Sequence, residues 1–199
     1  MQSRAVTAQD YVTATYAMPS NFGSVKRATV VRDNDDFRRN LNLYIISEDE
    51  NAKLTKSSDT LKENLKTWLN TVKMISDSID ILDASVLNIG IEFEILGTPN
   101  ANKSLIYTEI REKLFAEFSE IAPDIGQSFY LSDVFKILKQ IDGVLDVIDI
   151  KVVNKVSPNH SNFSYNIANN LSTNGRILNV PHDSIWELKF ITDIVGNVR

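Results

Sequence analysis

The stretch IGQSFYLSDVFKILKQIDGVLDVIDIKVV, residues 125–153, carries a short extended piece, a helix, a glycine stop and a strand in one run. Ser132 stands where an N-cap belongs. Its hydroxyl can accept from the free N–H groups of a first turn, and Asp133 adds negative charge at the positive end of the helix dipole. Val134, Phe135, Ile137, Leu138 and Ile141 give the predicted helix 133–141 a broad apolar face, and Gly143 sits where a left-handed C′ residue would close it. Residues 144–153 are rich in Val and Ile, with Asp146, Asp149 and Lys151 breaking only part of the run, which predicts a half-buried strand.

Upstream, VLNIGIEFEIL (residues 86–96) alternates strictly. Leu87, Ile89, Ile91, Phe93 and Ile95 share one face, with Asn88, Gly90, Glu92 and Glu94 on the other, so the expectation is a strand packed on one side and wet on the other. Gly90 marks the close approach of a helix or a bulge there. Asn102 or Ser104 caps a long helix over 105–122, with Ile106, Ile110, Leu114, Phe118 and Ile121 as its apolar stripe and Pro123 as its stop. These elements make a β-α-β-α-β unit over residues 84–153. Residues 1–83 form another, with helix 8–16 capped by Thr7 and Asp10, strands 24–33 and 41–47 as a hairpin, a helix capped by Ser58 or Asp59 and running to about residue 70, and a further extended piece at 79–82. Residues 154–199 lose helical periodicity. Asn174-Gly175 signals a two-residue type I′ hairpin, and residues 185–191 alternate Trp186, Leu188 and Phe190 against Glu187 and Lys189. That tail reads as a β-rich arm, either completing its own sheet or lying on a partner. The fold class is α+β, with helices packed on mixed and antiparallel sheets.

Composition narrows the chemistry. A net charge of −5, with 21 basic residues spread along the chain, gives no basic stripe for nucleic acid. There is no cysteine, which removes disulfides and zinc–thiolate sites and suits a reducing cytoplasm. No run approaches the roughly 18 apolar residues of a membrane span, and the first residues lack a signal-peptide core, so the expectation is a soluble protein without membrane insertion. His160 and His182 are the two histidines, without partners at metal-ligand spacing. Asp33, Asp35 and Asp36 begin like a calcium loop, but Arg38 stands where the turn needs glycine. Asp77, Asp80 and Asp83 read as turn and capping residues. Neither a phosphate-binding glycine loop nor a nucleophile elbow occurs, and His182 and Asp183, adjacent in an extended segment, point apart. The expectation is a non-enzyme with no catalytic, cofactor or metal site.

Two blocks carry a resemblance. Arg4-Ala5-Val6-Thr7 with Asp10-Tyr11, and Ile125-Gly126-Gln127 with Phe129-Tyr130, Ser132-Asp133 and Gly143-Val144, are similar in order and spacing to motifs of the baseplate J-like family of contractile-tailed bacteriophages. Within that family the likeness is to wedge proteins of the inner baseplate ring, over roughly residues 4–153. The resemblance implies a structural virion protein of the tail baseplate, assembled in the host cytoplasm. It would form homodimers within a ring, contact other wedge and hub proteins, and transmit rearrangement when the tail contracts. Because such proteins carry a further region before the first block, it also implies the C-terminal part of a longer protein or a split gene.

Assembly needs apolar faces with polar rims. The candidates are Tyr11 and Tyr16 on the first helix, and Trp186, Leu188 and Phe190 on the last strand; ordinary core packing is the competing account of each. Two rival functions remain, a protein-binding module using an exposed sheet edge and a small-molecule enzyme.

Overall fold

In the computed structural model, which describes residues 4–32, 40–99, 101–120 and 122–199, the chain divides into two units, Met1–Ser85 and Val86–Arg199. The fold is α+β, as the periodicities predict. The acidic hairpin tip, with Asp33, Asp35, Asp36 and Arg38, lies outside the described residues, as does Ile121.

In the first unit, α1 (Ala8–Tyr16) begins with the capping box read in the sequence. The Asp10 N–H donates to the Thr7 hydroxyl at 3.2 Å and the Thr7 N–H donates to the Asp10 carboxylate at 2.8 Å. β1 (Arg27–Arg32) and β2 (Asn40–Glu48) pair antiparallel, from Arg27↔Ile46 to Arg32↔Leu41. The two-residue β3 (Leu54–Thr55) pairs the end of β2. α2 (Asp59–Asn70) is capped by Ser58, whose hydroxyl accepts from the Leu61 N–H at 3.3 Å. β4 (Ser78–Asp83) then lies parallel to β2 on the edge away from β1. Alternation puts Leu41, Leu43 and Ile45 of β2 on one face, where they bury against Leu65 and Leu69 of α2 and Tyr11 of α1.

The second unit is organised on β5 (Ser85–Gly97). α3 (Lys103–Glu120) covers it with Ile106, Ile110 and Leu114, and Asn102 caps α3 by accepting from the Ser104 N–H at 3.0 Å. β6 (Phe129–Tyr130) leads into α4 (Leu131–Lys139), and β7 (Val144–Asn154) returns antiparallel to β5. The one-turn α5 (Ile167–Asn170) precedes β8 (Ile177–Leu178), which pairs β6. β9 (Ser184–Glu187) pairs β5, and β10 (Ile194–Val198) runs parallel to it, from Ile194↔Ile91 to Val198↔Ile95.

Four readings need correction. α4 begins at Leu131 rather than after Ser132, and no side chain caps it. The β6–β8 pairing carries the Arg176 carbonyl to the helix end, where it accepts from the Leu131 N–H at 2.9 Å, so a backbone group takes the place predicted for the serine. Gly143 does have the left-handed φ, +90°, but α4 already ends at Lys139. The glycine instead forms the turn into β7 beneath Ile106, whose Cδ1 would lie 2.9 Å from an added Cβ. At Asn174-Gly175 only the glycine has positive φ, +67°, so the turn is not type I′. It is held by the Gly175 N–H donating to the Ser172 carbonyl at 2.7 Å and the Ser172 N–H donating to the Ile177 carbonyl at 2.9 Å. The tail 154–199 does not stand off as an arm: its strands pair β5 and β6, and Ile167, Leu178, Val180, Trp186, Leu188, Ile194 and Val198 enter the second unit's core.

Candidate functional site

The five residues predicted to make contacts occupy different environments. Tyr11 is 1% exposed. Its hydroxyl donates to Asp77 Oδ2 at 2.7 Å and accepts from the Met74 N–H at 3.3 Å. Burial, with help from the Asp77 hydrogen bond, pushes its phenol up to about 12. Trp186 and Leu188 lie in the core of the second unit, Trp186 edge-on to Phe129 at 5.0 Å and to Phe118 at 6.1 Å. Core packing accounts for all three. Phe190 is half-buried with its ring 5.3 Å from His160 and edge-on to it. Tyr16 is exposed, and its hydroxyl accepts from the Ala28 N–H at 2.8 Å, filling a position on the side of β1 away from β2.

Each of the three aspartates around β4 is engaged within the first unit. Asp77 takes the Tyr11 hydroxyl, Asp80 accepts from the Asn40 amide at 2.8 Å, and Asp83 accepts from the Lys62 ammonium at 2.7 Å. These partners are remote in sequence, so the three side chains tie β4 to its neighbours rather than serving as the turn and capping groups their spacing suggested.

Sequence reasoning missed a buried polar network on β5. The wet face expected for that strand is wet only in part, because Asn88 and Gly90 are buried beside Leu87, Ile89 and Ile91. Residues 154–163 cross them. The Lys155 N–H donates to the Asn88 carbonyl at 2.9 Å, and the Ser161 N–H donates to Asn88 Oδ1 at 2.6 Å. The Asn88 amide in turn donates to Glu187 Oε2 at 2.8 Å, which satisfies part of a carboxylate that would be costly to bury alone. His160 bridges Ser157 Oγ, 2.7 Å from its Nδ1, and Asp193 Oδ2, 2.9 Å from its Nε2. Asp193 also accepts from the Phe190 N–H at 3.1 Å. The signal was Gly90: a Cβ there would lie 2.9 Å from the carbonyl oxygen of Asp193, the last residue of a 3-10 turn over Ile191–Asp193, so the close approach comes from the tail of the chain.

Ser157, His160 and Asp193 have the connectivity of a nucleophile, base and acid, yet their bonds fold the chain. The His160 N–H donates to the Ser157 carbonyl at 2.9 Å, closing a turn, and the imidazole ties that turn to the segment before β10. The arrangement is a clasp. His182 lies against Gly126, and Asp183 accepts from the Ser184 hydroxyl at 3.1 Å, so the sequence-adjacent pair is not brought together as a site. Among the described residues no group of three His, Asp or Glu is placed to hold a metal ion. No helix among them is long and apolar enough to cross a membrane.

Neither a family model nor a curated protein sequence matches the chain. Among solved structures, the fold is similar to a chain in the cryo-electron microscopy structure of the anti-feeding prophage baseplate, six-fold symmetrised, with TM-score 0.59 and 10% identity. The match covers 94% of this chain and 38% of that one, so both units have counterparts in a chain of which this sequence spans less than two fifths.

Proposed function

We propose that the protein is a structural, non-catalytic component of a contractile-tail baseplate, acting as a wedge or inner-ring subunit in the virion. In this reading it forms homodimers within the ring, binds other wedge and hub proteins, carries the rearrangement that follows contraction, and is assembled in the host cytoplasm. The observation that carries the reading is the likeness over 94% of the chain to a baseplate chain; the resemblance of the two sequence blocks to baseplate J-like motifs adds to it. The polar groups of the clasp and of the β4 aspartates fit this role, since they are engaged in holding the fold.

The test is to delete the gene in the particle-producing strain and image tails by electron microscopy, with complementation by the wild-type chain. Tails without an assembled baseplate, restored on complementation, are expected, along with the chain in stoichiometric amounts in purified particles. Intact baseplates in the deletion would overturn the assignment. Light scattering of the purified chain over a concentration range then reads the dimer separately.

A further inference from the structure

β7 is longer than its partner demands. Against β5 its register slips twice, Glu94↔Asp149 being followed by Ile95↔Val147, and Leu96↔Asp146 by Gly97↔Val144. The residues left over are Ile148 and Leu145. A bulge turns its extra side chain out of the normal alternation, and these two aliphatic residues are 50% and 52% exposed.

Ile148 forms one wall of a groove of about 330 Å³, with Leu131 and Phe135 of α4, Val147 and Ile150 of β7, and Arg176 from the turn before β8. Phe135 is 43% exposed. Charges around the groove are satisfied within the chain: Asp133 by Lys136 at 2.9 Å, Asp146 by Lys139 at 2.6 Å, and Asp149 by Lys151 at 2.8 Å. Among the described residues the Arg176 guanidinium is the charge on this groove without such a partner, although its carbonyl is fixed to the start of α4. The groove thus offers apolar walls and one cation unpaired within the described residues, on a backbone position fixed to the start of α4, in a chain of net charge −5.

We propose that this groove docks a short segment of another protein that brings apolar side chains to Phe135 and Ile148 and a carboxylate to Arg176. Volume fits the class: about 300 Å³ is the lower end of sites that enclose a ligand, room for two or three side chains. The complementary charge selects an acidic segment over a basic one, and the planar guanidinium favours a carboxylate bound through two parallel hydrogen bonds. Docking here is independent of the baseplate assignment, since it rests on the groove alone.

Selection of random twelve-residue peptides displayed on phage against the immobilised full chain tests it. Enriched peptides are expected to combine two or more apolar residues with Asp or Glu, and to lose about tenfold or more in affinity for Phe135→Asp and for Ile148→Asp, as anchor residues do. Arg176→Glu should shift enrichment from acidic to Lys-bearing apolar peptides. All three positions are at least part exposed, and circular dichroism verifies that each variant is folded. Peptides that bind Phe135→Asp and Ile148→Asp undiminished, no enrichment over bare support, or charge preference unmoved by Arg176→Glu would overturn the proposal. So would self-association of the wild-type chain that Phe135→Asp abolishes, since the occupant would then be a second copy.

Discussion

At the scale of single residues, Tyr11 shows how a side chain suited to an interface serves a core instead. Its ring is buried and its hydroxyl joins Asp77 to the Met74 backbone. Tyr11→Phe should cost about 1–3 kcal/mol in urea unfolding near pH 7, because Asp77 Oδ2 loses the phenol donor inside the protein and the Met74 N–H its acceptor. The phenol's folded value, about 12, lies above its ordinary 10.0. The fold therefore favours the neutral form, and that contribution is complete below about pH 10 and lost as pH rises through about 12. The wild type should lose stability over that window more steeply than Tyr11→Phe; parallel curves would contradict the assignment. Gly196 gives a second test. A Cβ there would run into the Phe93 ring, which is itself buried, so Gly196→Ala should destabilise by about 1–3 kcal/mol through overpacking.

Elements were legible in the sequence where the determining contacts are local. Thr7 with Asp10 and Ser58 with Leu61 sit within a turn of each other; the first cap forms as its spacing predicts, and of the two candidates for the second, Ser58 and Asp59, it is Ser58 that caps. The period-two run around Ile91 gives β5 within a residue at each end. At α4 the decisive group is Arg176, remote in sequence, so local spacing pointed to Ser132 and was wrong. For the same reason the clasp was illegible: Asn88 meets Glu187 and Ser161, and His160 meets Asp193, only because the tail comes back over β5. The two serines separate the cases. Ser58→Ala should cost about 0.5–2 kcal/mol, the usual loss for an N-cap, while Ser132→Ala should cost a few tenths at most. Equal losses would mean that Ser132 does cap α4.

On the scale of the whole molecule, the two tryptophans fall one to each unit, Trp68 in the first and Trp186 in the second. Trp68→Phe leaves fluorescence that follows the second unit, and Trp186→Phe leaves fluorescence that follows the first. Leu138 is fully buried in the second unit, and Leu138→Ala should cost about 2–5 kcal/mol. That loss should move the midpoint reported by Trp186 and leave the one reported by Trp68 in place; a common shift would show one cooperative transition. The parallel pairing of β10 with β5 also bears on synthesis. The first unit has all its strands once Asp83 has left the ribosome, whereas β5 must wait until everything through residue 198 has been translated before β10 can pair along it. Through that interval Ile91, Phe93 and Ile95 lie along an open strand edge, the kind of surface on which nascent chains aggregate. Slow translation downstream of Gly97 should therefore lower the yield of folded protein, and chaperones that hold extended apolar segments should raise it.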